Sequence, residues 1–238
     1  NINVSYLPNI KSAVRLFYNL GNYQMAVQLL QVAAQSGDIK NRAEIFFEIA
    51  LIKLYYLNDI NGARDAILLA LQENPSEGVF LNFLKNIYYQ SRNNTELVNI
   101  LEQLSHLKLP EHYTKSILFA QGKILEERLN DIDSALKSYE RIFMLDPADR
   151  DAVACIESIL IVKKAYTELV SVLKQHANAL PPNKRVEIYS KLVILFKEYL
   201  GDADSTIYYL SELLRLQEND LSVLDGLLRV YYKKGEYE

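Results

Sequence analysis

Three short stretches of the chain share one shape, and their spacing constrains the fold more than any other feature. LNDINGA (Leu57 to Ala63), LNDIDSA (Leu129 to Ala135) and LGDADST (Leu200 to Thr206) each run Leu, then Asn or Gly, then Asp, with a small residue four places on. Ala63 to Ala135 is 72 residues and Ala135 to Thr206 is 71. A second set interleaves with them: GNYQMAV from Gly21, NNTELV from Asn93, AYTELV from Ala165 and the closing GEYE from Gly235. Within that set Tyr23, Asn94, Tyr166 and Tyr237 are successively 71, 72 and 71 apart. Two turns per period of about 71 residues imply a stacked unit of about 36 residues, because a fixed recurrence of this length marks a repeat architecture.

Read alone, LNDIDSA looks like a calcium loop. Such a loop needs oxygen ligands at positions 1, 3 and 5, glycine at 6 and a bidentate glutamate at 12. Counted from Asp131, those last three places hold Ala135, Leu136 and Ile142, and the sister stretches fail in the same way. The alternative fits all three copies. Asn58, Asn130 and Gly201 tolerate the left-handed conformation that ends a helix, and Asp59, Asp131 and Asp202 cap the helix that follows. Asp133 and Asp204 add negative charge near its positive end.

Segments of about 13 to 19 residues lie between the turns, with apolar positions at helical spacing. In NRAEIFFEIALIKLYYL that face is Ile45, Phe46, Ile49, Ile52 and Tyr56. Pro75, Pro110, Pro147, Pro181 and Pro182 precede new helical patterns, where a missing N–H does no harm. The 8 glycines and 6 prolines are few for a sheet protein. About thirteen helices and no strands are predicted.

Within each hairpin the pattern resembles the tetratricopeptide repeat (TPR). In the first copy Gly21, Tyr23, Ala26, Leu30 and Ala33 match its turn glycine, its tyrosine and the small and large apolar positions of the second helix. Ala50, Ala63, Ile67, Ala70 and Pro75 match in the second copy, and Gly122, Ala135, Tyr139 and Pro147 in the fourth. Leu97 and Leu169 stand where a small residue is usual, as do Lys85 and Glu157 in the first helices. The resemblance implies an all-α, right-handed α-solenoid of about six and a half TPR-like hairpins in one continuous array. Its intervals fall at about 8–37, 39–74, 76–108, 110–146, 148–180 and 182–218, with an incomplete one at 220–238. NINVSYLP has no initiating methionine, and the turn at GEYE has no second helix after it, so the expectation is a segment of a longer repeat protein.

The resemblance also implies that ligands bind the concave surface lined by first helices. The register maps that surface to Arg15 and Tyr18; Phe47, Leu51 and Tyr55; Asn82, Asn86 and Tyr89; Phe119 and Lys123; then Ile161, Ile194, Arg229 and Tyr232. Mixed aromatic and amide character suits a peptide or partner helix. Of the tyrosine doublets, Tyr88 and Tyr231 should be core, with Tyr89 and Tyr232 facing the groove. The lysine and asparagine set by which chaperone-binding TPR proteins grip a terminal carboxylate is not reproduced.

Other chemistry finds little support. A net charge of −4 opposes nonspecific nucleic-acid binding, so an RNA-binding helical repeat is the weaker alternative. The lone Cys155 lies among apolar helix neighbours and reads as a small packed hydrophobe. His106, His112 and His176 read as scattered surface residues, and Glu126 and Glu127 as a solvated helix face. No catalytic, cofactor or metal site is expected, and no apolar run is long enough to insert into a membrane. The compartment is left between cytosol and periplasm. The functional expectation is a non-catalytic protein–protein interaction scaffold, with self-association at the solenoid ends as a further route. The alternating double repeat resembles large bacterial proteins of cell-envelope or motility assemblies.

Overall fold

The computed structural model describes residues 7–35, 41–217 and 220–235, so Tyr237 of the last turn lies outside the described residues. Among these there are thirteen α-helices and no strand. They are α1 (Leu7–Asn19), α2 (Tyr23–Gln35), α3 (Arg42–Tyr55), α4 (Ile60–Glu73), α5 (Gly78–Gln90), α6 (Asn94–Ser105), α7 (Glu111–Glu127) and α8 (Ile132–Leu145). There follow α9 (Arg150–Val162), α10 (Tyr166–Ala179), α11 (Val186–Ile194), α12 (Ala203–Leu216) and α13 (Leu221–Lys234). The chain forms two compact units, one up to Ile117 and one from Leu118 onward. In each, helices joined by short turns pack as hairpins, and successive hairpins stack.

The repeated stretches are helix boundaries. Asn58, Asn130 and Gly201 take φ of 52°, 54° and 67°. The aspartate after each accepts a backbone N–H of the next helix: Asp59 from Gly62 at 2.8 Å, Asp131 from Ser134 at 3.0 Å and Asp202 from Ser205 at 2.9 Å. Such caps contribute about 1 kcal/mol each. The second set of turns is one residue tighter, with left-handed Gly21, Arg92 and Lys164; Asn22 and Asn93 accept the next helix's N–H as the aspartates do, whereas Ala165 gives α10 no side-chain cap. One copy differs in how its helix ends. Leu195–Leu200 widens into a π-turn before Gly201, which absorbs an extra residue without breaking the helix.

Small residues bring paired helices together. Ala26, Ala63 and Ala135 are fully buried, and Leu97 and Leu169 occupy the same register position, also buried. In the second unit Gly122 on α7 lies close against Tyr139 on α8, where a Cβ would stand 2.5 Å from the ring. Tyr139 is wholly buried and donates its hydroxyl to Glu126 Oε2 at 2.9 Å. Glu126 is therefore tied to the core, not simply solvated.

Two further expectations are corrected. His176 is buried, with Nδ1 2.7 Å from the carbonyl oxygen of Pro147. Lying in the last turn of α10, it packs under the chain leaving α8 and satisfies that carbonyl. Tyr231 is 37% exposed where Tyr88, at the matching position of α5, is 6% exposed. Tyr88 is covered by α6, and no described helix follows α13 to do the same.

Candidate partner-binding surfaces

In the first unit, α1 and α3 flank an open cleft of about 800 Å³ with Leu30 of α2 at its back. Lys11, Arg15 and Tyr18 come from α1, Glu48 and Leu51 from α3, and Tyr56 from the residue that ends α3. Two of the expected first-helix residues of α1, Arg15 and Tyr18, thus meet Leu51 in one place. Burial pushes the Glu48 carboxyl up, and the Lys11 cation partly offsets this. One end is closed by three rings: Tyr18 lies 5.3 Å from Tyr23 and 5.0 Å from Tyr56, which in turn lies 4.4 Å from Tyr23. The hydrogen bond with Tyr56, reinforced by burial, pushes the Tyr18 phenol up to about 12, so it stays neutral near pH 7. The cleft offers cations, a carboxyl, phenol groups and an apolar floor.

The other first-unit positions divide. Phe47 is half-buried, 5.0 Å from Phe80 and 5.4 Å from Phe83 of α5, so it joins two first helices and is not freely presented to a ligand. Asn82 spends its amide within α5, donating to the Gly78 carbonyl at 2.8 Å and accepting from Lys85 at 3.0 Å. Tyr55, Asn86 and Tyr89 are exposed.

In the second unit Phe119 is half-buried against Tyr139 at 5.7 Å, with Lys123 Nζ 6.0 Å from the Phe119 ring centre. Lys123 also lies 3.6 Å from Glu126 and 3.5 Å from Glu127. Ile161, Ile194 and Tyr232 are exposed, and Arg229 pairs with Asp225 at 2.8 Å. A cleft of about 720 Å³ lies between α9 and α11. Four of its charges are paired: Lys191 is 2.8 Å from Glu157 and 3.6 Å from Glu187, and Arg150 is 3.9 Å from Glu187, while Lys184 also lines the cleft. Cys155 lies on the other side of α9, by Lys123, Glu126 and Tyr139, and burial pushes its thiol up, which keeps it protonated and poorly nucleophilic. Sequence reasoning missed Glu48, Glu187 and Lys191, because charged residues flanking an apolar stripe carry no periodic signal of their own, and it read Tyr56 only as part of the apolar face.

Hairpin stacking, the two alternating turns and the pairing of small with large residues define an all-α helical-repeat fold with a TPR-like pattern. No family model matches the chain. A TPR repeat-containing protein of Methanocaldococcus jannaschii is 23% identical across 92% of this chain and 52% of its own, so the chain spans about half the length of that curated relative. Among solved structures, a tetratricopeptide repeat protein from Parabacteroides merdae is 13% identical with a TM-score of 0.43, covering 96% of this chain and 87% of its own. The pilF protein of Pseudomonas aeruginosa is 15% identical with a TM-score of 0.37, covering 92% and 97%. Repeat proteins of this class serve generally as non-catalytic protein–protein interaction scaffolds. Among the described residues no helix is long and apolar enough to cross a membrane.

Proposed function

We propose that the chain is a non-catalytic scaffold that seats a segment of a partner protein, peptide or helix, against its first helices. The α1–α3 cleft is the principal seat, and the observation that carries this reading is its composition. Lys11 and Arg15 stand on one wall and Glu48 on the other, over Leu30 and Leu51. In the α9–α11 cleft, by contrast, both carboxylates, Glu157 and Glu187, are held in ion pairs with Lys191 and Arg150. Tyr55, Asn86 and Tyr89 extend the surface in the first unit; Ile161, Ile194, Arg229 and Tyr232 offer a second one in the other unit. The resemblance of the double repeat to bacterial cell-envelope and motility scaffolds supports a setting of that kind.

The test is selection from a random peptide library on the intact chain, followed by titration of the selected peptides against Arg15→Glu and Leu51→Ala. Each variant should weaken binding about tenfold, or ~1.4 kcal/mol. Peptides that bind both variants as well as the parent would refute the α1–α3 seat.

A further inference from the structure

The three aspartate-capped turns share one backbone but not one chemistry. At the second and third positions of the helix that follows, LNDIDSA and LGDADST place Asp133–Ser134 and Asp204–Ser205, whereas LNDINGA places Asn61–Gly62. No other asparagine of the chain is followed by glycine. Asn-Gly is the asparagine dipeptide most prone to cyclise, because a residue without Cβ leaves its amide nitrogen open to the preceding side chain and its backbone free to turn.

The packing around this turn requires the glycine. Gly62 N–H donates to Asp59 Oδ1 at 2.8 Å, and Lys53 Nζ lies 3.6 Å from Asp59 Oδ2. A Cβ on Gly62 would stand 2.5 Å from Lys53 Nζ and closer still to the Asp59 carboxylate. In the sister copies Leu125 and Phe196 stand where Lys53 does, six residues before the capping aspartate, and a serine fits. One ion pair thus sets glycine beside an exposed asparagine whose amide has no hydrogen-bond partner among the described residues.

Their place in the helix leaves these two residues room to react. The first N–H groups of a helix have no intrahelical acceptor, so Gly62 N–H is held by the Asp59 side chain and not by the ladder. When that first turn frays, Asn61 leaves the helical conformation and its Cγ reaches the glycine nitrogen.

We propose that Asn61 is a site of spontaneous deamidation, gated by the Asp59 cap. The Gly62 nitrogen loses its proton and attacks Asn61 Cγ, the C–N bond of the side-chain amide breaks, and ammonia leaves. Water then opens the cyclic imide. Breaking the bond from nitrogen to Cγ leaves aspartate at 61, the residue type that Asp133 and Asp204 supply at this register, so α4 gains an acid near its positive end. Breaking the bond to the main-chain carbonyl leaves isoaspartate, which routes the backbone through the side chain and displaces the capped turn. The site is independent of the α1–α3 cleft, whose lining includes neither Asn61 nor Gly62.

The test is storage of the intact chain at neutral and mildly alkaline pH, followed by peptide mapping by mass spectrometry and enzymatic methylation of isoaspartate. Asn61 should convert before every other asparagine, including Asn58 and Asn130, which each precede an aspartate. Conversion should be faster at the alkaline pH, because the attacking nitrogen must lose its proton. Asp59→Ala should speed it about fivefold, with helical circular dichroism retained, by freeing the first turn. Asn61→Gln should abolish the new charge form. An Asn61 that stays intact under conditions that convert the urea-unfolded chain overturns the proposal, as does conversion led by another asparagine. A rate unchanged by Asp59→Ala overturns the gate.

Discussion

Seams between first helices are held by different chemistry in the two units. In the first, α3 leans on α5 through rings, Phe47 against Phe80 and Phe83 at 5.0 and 5.4 Å. In the second, α9 and α11 are joined by ions, Glu157 and Lys191 at 2.8 Å, with Glu187 and Arg150 extending the chain of charges. The turns show the same contrast. Asp133 pairs with Lys163, and Asp204 with Lys234, but the matching positions of the first unit hold Asn61 and Ser91. The turns and the small residues set the register in both units. That leaves the chemistry of the seams free to vary, so the units should respond differently to mutation and to salt.

The largest effect should come from breaking the ring seam. Phe83 is buried against Phe47, and Phe83→Ala leaves a cavity that the adjoining helices cannot fully close. A loss of about 3–5 kcal/mol is expected in chemical denaturation, with local hydrogen exchange accelerating in α3 and α5. The loss should be insensitive to salt. An effect below about 1 kcal/mol, the size typical of a surface change, would show that the rings fill space without holding the seam.

Next in size is the close approach inside the second unit. A Cβ on Gly122 would stand 2.5 Å from the Tyr139 ring, and that ring is fixed by full burial and by its bond to Glu126. Gly122→Ala should therefore cost about 1–3 kcal/mol through overpacking. Gly78→Ala, whose nearest atom is Leu107 Cδ1 at 3.4 Å, is the control in the first unit and should be neutral or slightly stabilising. Equal losses at both glycines would assign the effect to backbone conformation and not to the tyrosine.

These two substitutions bracket what the sequence made legible. Gly122 and Tyr139 were readable as a pair because the repeat fixes a small residue opposite a large one, and the turns were readable because only certain residues tolerate φ above zero. Tyr231 shares the register of Tyr88 but is 37% exposed, because register fixes a position and burial needs a covering helix, which none of the described residues supplies. His176 was misjudged because one polar residue in a helix end gives no sign that a carbonyl 29 positions earlier lies against it. Phe47 shows the limit for the candidate site. Register places it on a first helix, and only the packing reveals that its ring contacts α5. The α1–α3 cleft was half legible, through Arg15, Tyr18 and Leu51, whereas Glu48 and Tyr56 belong to it by proximity alone.

A smaller effect should separate the ionic seam from the aromatic one. Glu157→Gln keeps the shape and removes the charge facing Lys191. Both side chains are partly exposed, so the expected loss is about 0.5–1 kcal/mol at low salt. It should fade in 1 M salt, where the screening length falls to about 3 Å. Measuring Phe83→Ala and Glu157→Gln across the same salt series tests the contrast directly. Parallel salt responses would mean that the units are not distinguished by their seams.

The smallest expected change is a gain, and it probes what the units share. Arg92 in the first unit and Lys164 in the second both end a helix at positive φ, 55° and 57°. A left-handed residue with a Cβ costs about 1–2 kcal/mol, and glycine returns about 0.5–1 kcal/mol of that through its freer unfolded chain. Arg92→Gly and Lys164→Gly should thus each stabilise by about 0.5 kcal/mol, by the same amount and independently of salt. Equal gains in units whose seams answer differently to salt would place the common frame in the turns and the difference in the side chains between helices. Unequal gains would mean that the strain at each turn is shared with the seam beside it.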